Sequence, residues 1–235
     1  MNKEEFIKEV EKLGIEINQE QLDKLNMFYE LLISWNEKIN LTRITEEKEV
    51  YLKHFYDSLT LFKAVNLNDN LTLCDVGTGA GFPGIVLKIV FPNLKVTLID
   101  ALQKRVNYLN SIIAELNLKD IVAIHARSED YAKENYEHFD IVTARAVANL
   151  SVLSELCIPM VQVNGYFIPM KANADWEIQE SEDILDKLDS KIVNVIKFQL
   201  PYENSERTLI KIQKIKPTNH KYPRRFDKIK KVIEK

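Results

Sequence analysis

Apolar positions divide the chain into a helical first part and a remainder in which strands and helices alternate. Between Gln19 and Trp35, apolar residues recur at steps of three and four, so they share one face of a helix. A second helical pattern runs from Glu46 to about Val65, and neither stretch has the period of two that marks a strand. Residues 1–68 are therefore predicted to form an N-terminal helical extension.

From Leu71 onwards, apolar runs of strand length alternate with helical patterns. The predicted strands are 71–76, 95–100, 121–125, 140–145, 164–170, 192–199 and 207–214. The predicted helices lie near 83–90, 103–116, 150–161 and 175–188. Such alternation predicts an α/β fold with a mainly parallel sheet of seven strands. Only a turn separates the last two strands, so a hairpin is expected to add one antiparallel strand.

The turn after the first predicted strand carries the clearest chemical signature of the chain. It begins with Asp75 and continues with Gly77, Gly79 and Gly81, a spacing that lets backbone N–H groups approach a ligand closely. Two templates fit: the Gly-x-Gly-x-x-Gly fingerprint of dinucleotide sites, and the acid-x-Gly-x-Gly-x-Gly pattern of S-adenosylmethionine-dependent methyltransferases. The second is favoured, because Asp75 can face a cationic ammonium or sulfonium group and Pro83 lacks the N–H that a pyrophosphate would need.

Two further positions fit a nucleoside-bearing cofactor. Asp100 ends the second predicted strand, where a carboxylate can accept both hydroxyls of a ribose, although capping of the next helix is an alternative role. The run His125–Asp130 follows the third strand and would flank the adenine, with Ser128 or Glu129 as partners for its amino group. An ordinary surface turn explains that run nearly as well.

The end of the fourth predicted strand should lie beside the transferred methyl group, and it carries Arg145. The chain lacks the Asn- or Asp-Pro-Pro-aromatic tetrad of adenine-N6 methylation, and Cys74 and Cys157 lie in patterns typical of buried, unreactive thiols. Guanine N7 needs no general base, only alignment with the methyl group, and an arginine can hold guanine, a phosphate or the cofactor carboxylate. Arg145 is therefore the candidate catalytic residue. An ion pair with Asp57 or Glu129 is the alternative interpretation.

Composition and charge narrow the class of protein. Hydrophobic residues make up 46% and charged residues 29% of the chain, as in soluble globular proteins, and the two cysteines have neither metal-site nor disulfide spacing. A soluble, cytoplasmic protein is expected, since the sequence has no signal-peptide pattern and no apolar run of membrane length. Residues 207–235 contain 11 Lys or Arg and two acidic residues, within a chain of net charge −3. This basic end suits a polyanionic partner and a merely solvated tail about equally.

Seven stretches of the chain match one protein family together. They are Trp35–Thr42, His54–Leu59, Asp75–Gly84, Asp100–Arg105, Ala144–Ala146, Pro169–Lys171 and Tyr222–Arg225. Through them the whole chain resembles the bacterial 16S ribosomal RNA guanine-N7 methyltransferases of the G type, also called glucose-inhibited division protein B. The glycine turn alone would be generic, but its combination with His54–Leu59 and Tyr222–Arg225 is specific.

The resemblance implies a Rossmann-like S-adenosylmethionine-binding domain at residues 69–216, and methyl transfer to N7 of one guanine near the decoding region of 16S rRNA. It also implies a basic tail, residues 217–235, packed on or near the RNA-binding face. From the motifs and the resemblance together, the candidate cofactor contacts are Asp75, Gly77, Gly79, Gly81, Phe82, Asp100, Ser128, Glu129 and Arg145. The candidate RNA contacts are His54, Lys171, Tyr222, Arg224 and Arg225.

Some of these roles have alternatives. Tyr222, Arg224 and Arg225 combine a stacking ring with paired cations, which suits phosphates and unpaired bases. His54 and Asp57 share a helical face, where a hydrogen bond in helix packing is favoured over direct catalysis.

Two other function classes remain open. A nucleotide-dependent oxidoreductase would use the dinucleotide fingerprint at Gly79–Gly84, against which Pro83 and Arg145 argue. A non-catalytic ribosome-assembly factor would keep the fold as an RNA-binding module, against which the intact motif residues argue. A P-loop nucleotidase is excluded, because the chain has no Gly-Lys-Ser/Thr turn. The expected partner is the small ribosomal subunit, and the protein is expected to be a monomer without metal or membrane association.

Overall fold

A seven-stranded sheet crosses the centre of the computed structural model, which describes residues 1–145 and 148–233 and the side chains as far as Ile229. The strands are β1 (Thr72–Val76), β2 (Lys95–Asp100), β3 (Ile121–His125), β4 (Phe139–Arg145), β5 (Val161–Lys171), β6 (Ser190–Gln199) and β7 (Glu206–Lys214). Their order is β3-β2-β1-β4-β5-β7-β6. The first five run parallel, and β7 lies antiparallel between β5 and β6, so the predicted mixed sheet is confirmed.

Helices flank the sheet and precede it. They are α1 (Lys3–Glu11), α2 (Gln19–Ile39), α3 (Glu47–Val50), α4 (Asp57–Leu59), α5 (Gly84–Val90), α6 (Gln103–Glu115), α7 (Ser128–Glu134), α8 (Leu150–Cys157), α9 (Asp175–Glu180), α10 (Glu182–Lys187) and α11 (Phe226–Ile233). The sequence pattern did not predict α7 or α11, and the helix predicted at 175–188 is divided into α9 and α10. Among the described residues, no helix has both the length and the apolar composition needed to cross a bilayer.

The helix α2 begins and ends at asparagines whose side chain or backbone suits a helix terminus. The Asn18 side chain accepts from the backbone N–H of Gln21, and the Gln21 side chain accepts from the N–H of Asn18, a reciprocal capping box. Asn40 ends the helix in the left-handed conformation, with φ of 49°. The predicted apolar face is buried, since Leu25 and Leu32 are fully covered.

The second N-terminal helix is a composite rather than a uniform α-helix. A π-helical turn, Tyr51–Tyr56, joins α3 to α4, and a 3-10 turn, Thr60–Lys63, follows. Such π-helical turns occur often at functional sites, because the wider turn changes the direction in which side chains point. This turn and the residue after it carry His54 and Asp57, and both side chains are buried.

Two apolar clusters occupy the two faces of the sheet. The first joins the N-terminal helices to α5 and α6, through residues such as Phe28, Phe55 and Leu98. The second joins α8 to β7 and reaches the C-terminal segment through Tyr222 and Ile229. Both ends of the chain therefore contribute to cores that include strands of the sheet.

Candidate active site

The glycine turn between β1 and α5 has the backbone conformation that its sequence requires. Gly77, Gly79 and Gly81 have φ angles of 70°, 60° and 93°, in the left-handed region that other residues rarely adopt. At Gly81 a side chain would also lack room, since an added Cβ would lie 2.5 Å from a methyl carbon of Ile85. The turn can therefore bring its backbone against a ligand only with glycine at these positions.

Asp75 is fully buried beneath this turn, and its carboxylate faces the start of α5. Its Oδ2 accepts from the backbone N–H of Gly84 at 2.8 Å and from the Thr78 hydroxyl at 2.7 Å. Its Oδ1 has no hydrogen-bond partner among the described residues. Burial raises the pKa of this carboxyl to about 6, although both hydrogen bonds oppose the rise.

The contacts of Asp75 bear on both glycine templates. The sequence predicted that its carboxylate can face a cationic ligand, whereas the structure places it beneath the turn, where Oδ2 accepts from two protein donors. The first N–H of α5 is one of those donors, so it is taken by a carboxylate where a dinucleotide site would use it for a phosphate. Within the described part of the chain, Oδ1 alone keeps free acceptor capacity on this carboxylate for a cationic group.

Asp100, at the end of β2, is held by three donors from the protein. Its Oδ2 accepts from Gly79 N–H at 3.1 Å and from the Arg105 guanidinium at 3.3 Å. Its Oδ1 accepts from Leu102 N–H at 2.9 Å, at the start of α6. The contact with the glycine turn is thus present, whereas the capping alternative is not, since the N-cap of α6 is Leu102 and no described side chain caps that helix. The expected pair of ribose contacts would compete with the Arg105 donor.

A cleft at the carboxyl edge of the parallel strands connects these residues, and we name it the Asp100 cleft. Its volume is about 370 Å³. The lining residues are Gly77, Ile99, Asp100, Ala101, Leu102, Arg105, Ser128 and Arg145. In open parallel sheets, ligands bind at this edge, and the volume is in the range of small-molecule sites. The positive-φ glycine turn, the Asp100 carboxylate and this cleft together fit a nucleoside-bearing cofactor.

The segment after β3 is a helix terminus rather than a plain turn. Ser128 is the first residue of α7, and Glu129 in the first turn of that helix is buried. Ser128 lines the Asp100 cleft, as the sequence predicted for a residue beside the adenine.

Phe82, a predicted cofactor contact, is absent from the described lining of the Asp100 cleft but packs against Arg145, which does line it. Its ring stacks on the His54 imidazole with centroids 4.4 Å apart, and the Arg145 guanidinium lies 5.2 Å from its centroid. A cation over an aromatic face is attracted by the ring quadrupole. Phe82 therefore forms the floor under Arg145 in this structure.

Arg145 ends β4 and is held mainly by the N-terminal helices. One guanidinium nitrogen, Nη1, donates to Asp57 Oδ2 at 3.0 Å and to the Lys53 carbonyl at 3.2 Å. The other, Nη2, lies 3.3 Å from His54 Nδ1. The ion pair with Asp57 that the sequence left as an alternative is therefore present. Ala146, the last residue of the predicted Ala144–Ala146 motif, lies outside the described residues.

A second cavity opens on the far side of Arg145, and we name it the Asp57 cavity. Its volume is about 470 Å³. The lining residues are Ile44, Lys53, His54, Asp57, Arg145, Met170, Lys171, Ala172, Asn173, Glu177 and Arg207. Arg145 lines both this cavity and the Asp100 cleft, so it forms part of the wall between them.

Arg207 is a site residue that the sequence reasoning missed. Its Nε donates to Asp57 Oδ1 at 2.8 Å, so one buried carboxylate holds two guanidinium groups. The sequence treated Arg207 only as the first cation of the basic end. The sequence did contain a signal that could have identified it, namely its position at the start of a strand that follows a hairpin. Because this strand is antiparallel, its start lies at the same edge of the sheet as the carboxyl ends of the parallel strands.

His54 was expected to contact RNA, but its surroundings keep it buried and uncharged. Its Nε2 lies 3.0 Å from the Thr42 hydroxyl, and its ring is stacked on Phe82. Burial, together with the nearby Arg145 charge, lowers the pKa of His54 to about 3. A cationic contact between His54 and a phosphate is therefore not available near pH 7.

Lys171 was also expected to contact RNA. Its Nζ donates to the Ala148 carbonyl at 2.6 Å and pairs with Glu177 Oε2 at 2.8 Å, with the side chain largely buried. The same Glu177 oxygen accepts from the backbone N–H of Leu150 at the start of α8. Lys171 thus links two segments at the edge of the Asp57 cavity, and Glu177 neutralises its charge.

The tail motif differs most from its expected role. Tyr222 is only 7% exposed and belongs to the second apolar cluster, so its ring is not an open stacking surface. Arg224 binds the fully buried Glu155 through Nε at 2.8 Å and Nη2 at 2.6 Å. Arg225 keeps a 78% exposed side chain beside α7. Of the three expected RNA contacts, only Arg225 is positioned to meet a phosphate.

Known proteins of one family are similar to this chain in sequence. A sequence model of the family described as rRNA small subunit methyltransferase G matches residues 21–209. A protein of Bacillus cytotoxicus, named ribosomal RNA small subunit methyltransferase G, is 49% identical over 228 residues, which cover 96% of this chain and 95% of the relative. A protein of the same name from Geobacillus sp. strain WCH70 is also 49% identical and covers 96% of each chain.

Solved structures support the fold alone, since their sequences are much less similar. An S-adenosylmethionine-dependent methyltransferase from Aquifex aeolicus aligns with a TM-score of 0.53 and 20% identity, over 78% of this chain and 98% of that one. A mutant form of the 16S rRNA (adenine(1408)-N(1))-methyltransferase from Catenulisporales acidiphilia aligns with a TM-score of 0.52 and 13% identity, over 65% and 89%. The resemblance found in the sequence is thus confirmed at the level of the family: this chain belongs to the small-subunit rRNA methyltransferase G family.

Proposed function

We propose that this protein transfers a methyl group from S-adenosylmethionine to N7 of one guanine in 16S rRNA of the small ribosomal subunit. The observation that carries the proposal is the position of Arg145, whose guanidinium lines both the Asp100 cleft and the Asp57 cavity. In this proposal the cofactor occupies the Asp100 cleft and the target guanine enters the Asp57 cavity. The family membership of the chain supports the reaction class.

The chemistry around the Asp57 cavity suits an acceptor that needs no deprotonation. Its carboxylates Asp57 and Glu177 are each bound to cations, and the neutral His54 is engaged with its neighbours. Guanine N7 carries a lone pair and no proton, so its methylation depends on alignment and on electrostatic stabilisation. Arg145 is the proposed catalytic residue, since a guanidinium can donate to the O6 or N7 edge of guanine.

The residues around the Asp100 cleft would hold the cofactor through separate groups. The backbone of Gly77 and Gly79 would approach the methionine part, and the carboxylate of Asp75, buried beneath the turn, would favour the ammonium group through its charge. Asp100 would bind the ribose, giving up its 3.3 Å contact with Arg105. When bound, the cofactor supplies a methyl group on a sulfonium centre as the electrophile.

For the adenine, the proposal uses the start of α7. The backbone at Ser128 would bond the base, in keeping with its place in the cleft wall. The buried Glu129 is the second proposed partner of the base, although it lines a neighbouring cavity with Arg127 and Arg225 rather than the Asp100 cleft.

The decisive experiment uses small ribosomal subunits from cells that lack the enzyme. Purified protein and labelled S-adenosylmethionine are added, and the modified base is mapped. Label at N7 of a single guanine is the expected result, with subunits from enzyme-containing cells as the unlabelled control. Binding of the cofactor without transfer to any state of the subunit would instead favour an RNA-binding assembly factor.

A further inference from the structure

One buried carboxylate organises the wall between the Asp100 cleft and the Asp57 cavity. Asp57 uses Oδ2 for Arg145 at 3.0 Å and Oδ1 for Arg207 at 2.8 Å. The Asp57 side chain is 6% exposed, whereas those of Arg145 and Arg207 are 14% and 22% exposed. Both guanidinium groups are therefore bound to the same carboxylate, and both line the same cavity.

A second set of contacts fixes Arg145 from the N-terminal helices. Because a guanidinium only donates, the contact of Arg145 Nη2 with His54 Nδ1 makes that nitrogen the acceptor. The proton of the neutral imidazole then lies on Nε2, which faces the Thr42 hydroxyl at 3.0 Å. The Thr42 backbone is in turn held by the Asn36 side chain at 2.8 Å, so the chain of contacts ends on α2.

These contacts leave the Arg145 guanidinium little rotational freedom. Three of its five N–H groups are directed at Asp57, the Lys53 carbonyl and His54, and its plane lies over Phe82. Group transfer depends steeply on alignment, and a shift of about 1 Å can cost about 100-fold in rate. A side chain that orients an attacking base therefore benefits from such restraint.

We propose that Asp57 and His54 are positioning residues for methyl transfer, which hold Arg145, and through Asp57 also Arg207, in the orientation that receives the target guanine. The inference rests on the proposed function of the Asp57 cavity. It assigns the N-terminal helices a role in the reaction, although they contribute nothing to the described lining of the Asp100 cleft.

A purely structural ion pair is the competing explanation. Buried ion pairs often contribute little net stability, because desolvation of both charges offsets their attraction. Asp140 provides the matched control: it is a carboxylate near the opposite end of β4, bonded to Thr72 N–H at 2.8 Å and to the Thr72 hydroxyl at 2.7 Å. Asp140 is a partly buried carboxylate that is hydrogen-bonded to neutral donors, and it has no place in the described lining of either cavity, so its variant controls for the loss of a structural carboxylate.

The first test compares Asp57→Asn with Asp140→Asn. Single-turnover methyl transfer to undermethylated subunits is measured beside the affinity for S-adenosylhomocysteine. For Asp57→Asn we expect a rate about 100-fold lower, with cofactor affinity changed by less than about threefold. Asp140→Asn should keep the wild-type rate per folded molecule. Equal rates for the two variants and the wild type would overturn the inference.

The second test uses variants of His54. It can still refute the inference if Asp57→Asn does not fold. His54→Asn keeps an acceptor near the position of Nδ1, whereas His54→Leu removes it. The asparagine variant should retain at least about ten times the single-turnover rate of the leucine variant, since it still holds Arg145. Equal losses in both variants would contradict positioning by the acceptor.

The third measurement separates this inference from the proposed function. Imidazole nitrogen NMR of the wild-type protein, without RNA, should find His54 as the neutral Nε2–H tautomer near pH 6. Loss of that signature in Asp57→Asn would support a coupled network. A protonated ring, or the Nδ1–H tautomer, would overturn the positioning network even if methyl transfer were observed. Absence of methyl transfer by the wild type would refute the proposed function instead.

Discussion

Two sites of this molecule each pair a buried carboxylate with an arginine, but they differ in their surroundings. At the first, Asp57 from the N-terminal helices holds Arg145 and Arg207 beside a cavity. At the second, Glu155 from α8 holds Arg224 of the tail, next to the covered ring of Tyr222. The first leaves its cations at a cavity wall, whereas the second uses its cation to fasten the end of the chain.

The difference teaches that a basic motif is not by itself an RNA contact. A guanidinium whose fork is filled by a buried carboxylate has few donors left for a phosphate, however basic its sequence neighbourhood. The tail therefore has two kinds of arginine, Arg224 inward and Arg225 outward. Location relative to a cavity, not local charge density, separates the candidate catalytic arginine from the structural one.

The largest expected effect concerns the first site. Arg145→Ala should lower the methyl-transfer rate by about 1,000-fold, because it removes a preorganised donor at the wall between the cleft and the cavity. Single-turnover kinetics on undermethylated subunits give the measurement. Lys119→Ala, an exposed cation just before β3, should stay at the wild-type rate. Full activity of the Arg145 variant would move the catalytic role to another residue.

The second site should respond in stability rather than in rate. Arg224→Ala leaves the fully buried Glu155 without its cation, which should reduce the free energy of unfolding by about 2–3 kcal/mol. Urea denaturation measures this loss. Arg225→Ala is the matched control, with an expected change within about 0.5 kcal/mol, since its side chain is exposed. Similar losses in the two variants would contradict the division into inward and outward arginines.

The pH dependence of stability tests the buried His54. Its folded pKa is lowered to about 3, so between that value and about 6.5 the unfolded chain binds a proton that the folded chain does not. Stability is therefore lost as the pH falls below about 6.5. Relative to His54→Asn, the wild type should lose about 2 kcal/mol between pH 7 and pH 5, measured by urea denaturation at each pH.

Asp75 acts in the opposite direction, which is why the comparison with a variant is needed. Its folded pKa is raised to about 6, so its contribution to stability falls as the pH rises through that value. Both proteins contain Asp75, and its effect cancels in the difference. A difference between wild type and His54→Asn that does not change with pH would mean that His54 is solvated and titrates normally.

The smallest expected effect concerns Arg225. If this exposed cation meets one phosphate, Arg225→Ala should reduce the salt slope of RNA affinity by about 1 and weaken binding modestly. Binding to undermethylated subunits or to their RNA at several salt concentrations gives the slope. An unchanged slope would mean that Arg225 does not contact RNA and belongs to a solvated tail, which is the alternative that the sequence left open. Deletion of residues 218–235 is a poorer test, because it also removes Tyr222 and the partner of Glu155.

Much of the fold followed from local patterns. All seven strands were predicted with limits close to those observed, the largest difference being the start of β5 at Val161 rather than residue 164. Buried parallel strands produce continuous apolar runs, and those runs are visible without tertiary information. The glycine turn could also be predicted from the sequence, since positive φ angles at alternate positions require glycine.

The partners of the site residues could not be predicted in the same way. Asp57 and Arg207 are 150 positions apart, and only the closed sheet with its helices brings their side chains together. Whether Tyr222 would face solvent depended on a pocket formed by a distant part of the chain. The segment Glu47–Lys63 could be predicted to be helical. Its π-helical turn, which sets the orientation of His54, could not be predicted, because it has no simple periodic pattern.

The shared wall formed by Arg145 has a consequence for inhibition. The Asp100 cleft and the Asp57 cavity, of about 370 and 470 Å³, meet at one side chain. A single compound that joins a nucleoside thioether to a purine by a short linker could occupy both spaces at once. Its second half would bind at high effective concentration, so its affinity could exceed that of either half by orders of magnitude. Selectivity would come from the purine half, because nucleoside clefts recur throughout this fold whereas the paired arginines belong to the cavity.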